Sequence, residues 1–352
     1  MHNPRALLAG LSLLALAATC QQSPTLHDQP QPTPATSADK FLIPDPSWDC
    51  GMPQGIPVSE QGATVLQAKL DIDQVYDVGT TPFGKRQVIV LKGGTFSSDI
   101  TEGTVMPGGL DFQLTLSNGT IEVEQILMLK SSDGRYILSR SAGVGTSSDV
   151  RIVSDFEAPT NSPAARLNTG KYVTRRSVDI ASKSITLTVH DASSIPTADA
   201  AHTLRINKPT DAPPQPWDYR HAVQGERQGD TITTESVSLA PSQQVGPSKR
   251  GSRNIIPITG GTLSGLVSGK VLPGGADYQN LTTQPTIDAR YLWQTDDGQI
   301  IIVRNTTGIG QLVPTFETSV TGKFDWLNTG KYLSSNPRLG GGGVSISMYK
   351  SN

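Results

Sequence analysis

The sequence predicts an all-β protein of two tandem antiparallel β-barrels joined by a Pro-rich linker. Three observations carry the prediction. The 352 residues hold 35 glycines and 25 prolines but only 36% hydrophobic and 5% aromatic side chains, which excludes a helical bundle or coiled coil rich in Ala, Glu, Lys and Leu. Val, Ile and Leu recur in short alternating runs, as in strands with one buried face, rather than being thinned out as in a disordered chain. Third, the chain contains itself twice, at a spacing of whole domains.

The duplication is legible block by block. Val78-Gly79, Arg86, Val88, Ile89 and Val90 lead into Gly93-Gly94-Thr95, as Val245-Gly246, Arg253, Ile255, Ile256 and Ile258 lead into Gly260-Gly261-Thr262. Val105-Met106-Pro107-Gly108-Gly109-Leu110-Asp111-Phe112-Gln113 matches Val271-Leu272-Pro273-Gly274-Gly275-Ala276-Asp277-Tyr278-Gln279. Asp133-Gly134 matches Asp297-Gly298, Arg140 matches Arg304, and Phe156-Glu157 matches Phe316-Glu317. Leu167-Asn168-Thr169-Gly170-Lys171-Tyr172 recurs unchanged as Leu327-Asn328-Thr329-Gly330-Lys331-Tyr332. The offset drifts from 167 to 160 residues along the chain, as short loop deletions between two copies of one domain would produce.

In chain order, residues 1–20 read as a secretory signal peptide: after Arg5, Ala6 to Ala18 is an uncharged apolar run too short to span a bilayer. The expected location is therefore secreted, or periplasmic or lipid-anchored at Cys20 if the source is bacterial. Thr19 stands where a lipoprotein box expects Gly or Ala. Residues 21–62 form a disordered or extended segment, rich in Pro, Gln, Thr and Ser up to Ser37. Cys20 and Cys50 are the only cysteines, so no disulfide framework holds the fold and each barrel must rest on its own core.

The first barrel is expected over 63–195. The linker over 196–231 carries Pro209, Pro213, Pro214 and Pro216 beside Trp217, which reads as docking glue. The second barrel is expected over 232–351. In it, Ile287, Ala289, Tyr291 and Trp293 share one strand face while Asp288, Arg290, Leu292 and Gln294 share the other. Asp296-Asp297-Gly298 is a hairpin turn before Ile300 to Arg304. Ser184 to Val189 and Val344 to Tyr349 are the closing strands of the two copies. Closure into barrels is favoured over open sheets because it removes exposed strand edges.

The series Gly260 to Thr262, Val271 to Tyr278, Asp288 to Tyr291, Thr295 to Gly298, Phe316 to Thr318 and Trp326 to Asn328 resembles the domain of unknown function 3237 family. The resemblance covers essentially the whole second copy and, more loosely, the first. It implies a small antiparallel barrel of the allene-oxide-cyclase or calycin type and no assigned activity. The first copy has Glu124 and Ile126 where the second has Asp288 and Arg290, and Arg166 where the second has Trp326. The second copy is thus nearer the family pattern, and the site is expected there.

Asp288 and Arg290, two apart on one strand, leave the same face; if that face is the lumen, they place a carboxylate and a guanidinium in a low-dielectric space. With Glu317 they form the candidate catalytic group, Asp and Glu as general acid and base and Arg holding a developing anion. Asp277, Arg304, Tyr278, Trp293 and Trp326 are the candidate ligand-binding residues. The bland alternatives are that Asp277 satisfies backbone donors at the Pro-Gly-Gly turn and that Asp288–Arg290 is a solvated exterior pair. No His-Glu-x-x-His, Cys-x-x-Cys or Ca-loop spacing occurs, so no metal or cofactor is expected. The glycine pairs do not open a helix and are not phosphate loops, and no Gly-x-Ser-x-Gly elbow occurs.

Lys and Arg total 29 against 31 Asp and Glu, a net charge of −2, so nucleic acid is not an expected partner. No transmembrane segment is expected, and the partners are a small-molecule ligand and, within the chain, the other barrel. Asn118, Asn280 and Asn305 head glycosylation sequons. Three functions fit this pattern: a cofactor-independent isomerase, cyclase or lyase working in the second barrel, a non-catalytic small-molecule-binding barrel, and an extracellular structural or interaction module.

Overall fold

A computed structural model describes residues 56–57, 62–146, 149–194, 203–204, 222–282, 285–307, 312–340 and 343–352. The expected signal peptide, both cysteines and most of the linker, Trp217 included, lie outside the described residues. A two-residue ladder, β1 (Ile56–Pro57) with β11 (Thr203–Leu204), forms a small sheet of its own.

The first barrel comprises β2 (Ala63–Thr81), β3 (Gly84–Ser98), β4 (Glu102–Val105), β5 (Leu110–Thr115), β6 (Ile121–Ser131), β7 (Tyr136–Thr146), β8 (Asp149–Glu157), β9 (Tyr172–Asp179) and β10 (Ser184–Asp191). Each strand pairs antiparallel with its neighbour, and β2 closes the ring by pairing with both β3 and β10. Strands β4 and β5 lie end to end in one position between β3 and β6, interrupted at the Pro107-Gly108-Gly109 turn, so the barrel has eight strand positions.

The second barrel repeats this plan with β12 (Gln228–Leu239), β13 (Gln243–Ser248), β14 (Gly251–Gly265), β15 (Gly269–Val271), β16 (Ala276–Asn280), β17 (Asp288–Thr295), β18 (Ile300–Thr307), β19 (Leu312–Thr318), β20 (Tyr332–Ser334), β21 (Arg338–Gly340) and β22 (Gly343–Ser351). Pairing of β12 with β22 closes it, and β15 and β16 share the interrupted position. Its first strand starts at Gln228, ahead of residue 232.

Two repeated motifs have a direct physical cause. The second glycine of each Gly-Gly-Thr holds a left-handed φ, 151° at Gly94 and 156° at Gly261. A Cβ there would sit 2.1 Å from the Lys69 carbonyl oxygen or 2.2 Å from that of Ser236, so only glycine lets the neighbouring strand approach. In Leu-Asn-Thr-Gly-Lys-Tyr, the asparagine ties a short 3-10 turn to the end of a strand. The Asn168 Oδ1 accepts from the Ala158 N–H at 2.8 Å, and the Asn328 Oδ1 accepts from the Thr318 N–H at 2.8 Å.

The barrels pack flank to flank. Val88, Val90, Leu110 and Phe112 on the outside of the first meet Leu272, Leu292, Ile300 and Ile302 on the outside of the second. Ile126, Met128 and Leu138 meet Val245, Ile255, Ala276 and Tyr278. Main-chain bonds cross the seam from the Thr160 N–H to the Pro247 oxygen (2.9 Å) and from the Val320 N–H to the Thr80 oxygen (2.8 Å). Thr160 and Val320 are equivalent in the repeat, as are Thr80 and Pro247, so the seam has an approximate twofold relation.

Candidate functional site: the second lumen

Alternation along β17 shows which face points inward. Tyr291 and Trp293 belong to the core of the second barrel, whereas Leu292 packs in the seam. Asp288 and Arg290 share the Leu292 face. The expectation that this pair lines the second lumen is therefore corrected: both side chains point away from the lumen, toward the first barrel.

There, Arg290 pairs with Asp288 (Nε–Oδ1 3.0 Å) and, across the seam, with Glu124. Glu317 also lies in the seam, accepting from the Arg86 Nε at 2.7 Å, the Thr81 hydroxyl at 2.9 Å and the Arg304 Nη1 at 3.2 Å. Its twofold mate is Glu157, held by the Arg253 Nε at 2.8 Å; Arg86 corresponds to Arg253 as Glu317 does to Glu157. Burial pushes both carboxyls up, but the arginines and the Thr81 and Ser248 hydroxyls outweigh it and hold both below the ordinary Glu value. Tyr278 packs in the seam too. Of the expected site residues, Asp288, Arg290, Glu317, Arg304 and Tyr278 thus bind barrel to barrel. A charged face is buried here because its partners come from the other copy.

The lumen of the second barrel holds a different set. Trp293, Phe316 and Tyr332 stack at one end, with ring centroids 5.1 Å and 5.0 Å apart. Trp326, on the 3-10 turn Asp325–Asn328, caps this cluster half-buried, 6.3 Å from the Tyr332 ring. Beside Trp293 is Glu235 of β12, completely buried. Its Oε1 accepts from the Tyr291 hydroxyl at 2.6 Å and its Oε2 from the Trp293 indole N–H at 2.9 Å. Burial raises its carboxyl to about 7 despite the opposing pull of those two donors.

Asp277 of β16 also faces the lumen, since its neighbours Ala276 and Tyr278 face the seam. The Gln279 amide donates to its Oδ2 at 2.7 Å, and the Asn254 amide donates to Gln279 at 2.8 Å. The Asp277 Oδ1 is buried and accepts no well-formed hydrogen bond. Burial lifts this carboxyl to about 6, against the Gln279 amide and the Asp288 backbone N–H. Tyr291 feels both acids, and its hydroxyl is pushed well above its ordinary value by burial first and then by Glu235 and Asp277.

Sequence reasoning missed Glu235. The available signals were its phase with Thr233 and Val237 on one strand face and its alignment with Ala68 in the first copy, an acid where the repeat has a methyl group. Among the sequons, Asn118 is exposed, but Asn305 is buried and bonded to the Ser334 hydroxyl at 3.2 Å, unavailable to a glycan in the folded barrel. Among the described residues no cluster of His, Cys, Asp and Glu is arranged to hold a metal, and no helix is long and apolar enough to cross a membrane.

Fold and site together define a tandem antiparallel β-barrel protein whose two copies share a charged seam and differ inside. The chain belongs to the family described as "Protein of unknown function (DUF3237)", whose family model matches residues 62–179 and 230–312. It is 48% identical over 81 residues to UPF0311 protein blr7842 of Bradyrhizobium diazoefficiens, covering 22% of this chain and 46% of that protein. It is 41% identical over 78 residues to a UPF0311 protein of Rhodopseudomonas palustris, covering 21% and 49%. The chain thus spans about half the length of the curated relatives it matches. A β-barrel-like protein from Acinetobacter baumannii superposes with a TM-score of 0.34 at 21% identity, over 37% of this chain and 94% of that one.

Proposed function

We propose that the chain is an exported two-barrel protein whose second lumen handles a small organic molecule by proton transfer. It would act as a cofactor-independent isomerase, cyclase or lyase with Glu235 as the proton carrier. Glu235 itself carries this reading: a completely buried carboxyl near 7, oriented by Tyr291 and Trp293. An acid with that affinity gives and takes a proton readily at neutral pH, and two fixed donors hold it in one orientation. Asp277 offers a second acid on the same lumen. Export rests on the apolar run Ala6 to Ala18.

A second reading, a non-catalytic carrier, is favoured by the same two bonds, because both Glu235 oxygens are already occupied. One experiment separates the two. The protein and its Glu235→Gln variant are incubated with a metabolite extract and followed by liquid chromatography and mass spectrometry. Features that interconvert at unchanged mass, or split into two products, with wild type and not with the variant support the enzyme. Ligand that copurifies and is released unaltered supports the carrier, and equal conversion by both proteins overturns Glu235 as the proton carrier.

A further inference from the structure

In the seam two buried cations, Arg86 and Arg304, share one carboxylate, that of Glu317. Arg86, Arg140, Arg253, Arg290 and Arg304 are buried on outward strand faces with Glu122, Glu124, Asp155, Glu157, Glu317 and the partly buried Asp288. At the rim, Lys249 and Arg250 likewise share Asp155. At Glu317 the excess is localised by hydrogen bonding. Arg304, 1% exposed, has one acceptor, the Glu317 Oε2 at 3.2 Å, and that carboxylate already serves Arg86 and Thr81. Its Nε and Nη2, the edge of a guanidinium that grips anions two-pronged, reach no acceptor among the described residues, and neither does the Nη2 of Arg86. The Phe112 ring lies 5.5 Å from the Arg304 guanidinium carbon and meets the cation, not its edge donors.

The surroundings of the twofold mate, Arg140, differ on both flanking strands: it stands opposite Ile126 where Arg304 stands opposite Arg290. Across the strand pair Arg140 stands opposite Asp155, whereas Arg304 stands opposite Thr315. The Asp155 carboxylate is itself held by Lys249 and Arg250, and the Arg140 Nη2 lies 3.9 Å from the Asp288 carboxylate.

We propose that the barrel seam binds a small monovalent anion, such as chloride, on the Nε–Nη2 edge of Arg304, with the Arg86 Nη2 as a further donor. An arginine cannot shed its proton to escape burial, so only a counter-charge removes the cost of a desolvated surplus cation. Water would fill the hydrogen bonds but leave the charge. The flanking Val88, Phe112, Leu292 and Ile302 are all buried, which restricts the ligand to an ion of atomic size. The anion would therefore belong to the docked state of the two barrels and stabilise it by linkage.

The test is thermal unfolding of the full chain in sodium chloride against sodium gluconate at equal ionic strength, so that screening is the same in both. Wild type is expected to gain about 2 °C or more in chloride, saturating with concentration. Arg304→Met removes the surplus cation while Arg86 and Thr81 still hold Glu317; it is expected to be insensitive to the choice of anion. Arg304→Lys, which keeps the charge and loses the fork, is expected to lose most of the increment and covers the case in which the Met variant does not fold. Equal wild-type unfolding temperatures in the two salts, or an increment that survives both substitutions, overturns the site.

Discussion

The two lumens are built on the same strand positions and have opposite electrostatics. In the first, Asp111 is completely buried, yet Arg176 grips it at 2.8 and 2.7 Å and the Gln125 amide adds a bond at 2.7 Å. In the second, the equivalent Asp277 has no arginine, because the repeat places Asn336 where the first copy has Arg176 and β20 has already ended at Ser334. Conversely, Ala68, Leu127 and Leu129 of the first copy become Glu235, Tyr291 and Trp293 in the second. One barrel has a neutralised interior, and in the other two acids have no cation beside them among the described residues. Two copies of one strand plan thus carry different polar interiors, one closed by an ion pair and the other by neutral donors.

The sharpest way to break this comparison is to remove the first barrel's counter-ion. Arg176→Met strands Asp111 in the core and is expected to destabilise the protein by about 3–5 kcal/mol in urea unfolding. The double variant Arg176→Met with Asp111→Asn should recover most of that loss. If the single variant is as stable as wild type, the first lumen is not held by its ion pair, and the contrast with Asp277 loses its meaning.

The next effect is on the second lumen and is read against pH. The unfolded Glu235 carboxyl titrates near 4.5 and the folded one near 7. The proton is therefore bound more tightly in the folded state. Its contribution is full below about 4.5, falls as pH rises through the window to about 7, and stays lost above it. The swing amounts to about 3 kcal/mol. Glu157 and Glu317 have the opposite sign, since their lowered carboxyls give stability above the ordinary Glu range that is lost on acidification. The Glu235 share is therefore isolated by difference. Between pH 4 and pH 8, Glu235→Gln should gain on wild type by that amount, and parallel pH profiles would show that Glu235 is not the perturbed group.

How much of this was legible follows from what alternation encodes. Period-two patterning says which residues share a face, so Asp288 and Arg290 were correctly grouped, but it does not say which face is inside. The rule that buried charges are paired suggested a lumen; the partners Glu124 and Arg86 lie far away in sequence, on the other copy, where no local pattern points to them. The repeat was legible because its turns need particular residues, such as Gly94 and Gly261, whose Cβ would strike a carbonyl oxygen. Trp293 and Asp277 were recognised and do line the lumen. Glu235 was overlooked because the run Thr231 to Leu239 alternates weakly, and only comparison with Ala68 marks an acid at a core position.

The smallest expected effect separates the two copies of an identical motif. Asn168 accepts from the Ala158 N–H at 2.8 Å and returns its amide to the Ala158 oxygen at 2.9 Å. Asn328 accepts from the Thr318 N–H at 2.8 Å, but its Nδ2 is buried and reaches no acceptor. Each bond contributes about 0.5–1.5 kcal/mol, and a stranded buried donor costs about 1–3 kcal/mol. Asn328→Ala removes that donor along with the acceptor, so part of the loss is offset. Asn168→Ala should therefore destabilise by about 1–2 kcal/mol and Asn328→Ala by less, measured by urea unfolding at one pH. Equal losses would mean that the strand-end contacts of the two barrels are the same in solution and that their difference is confined to the lumens.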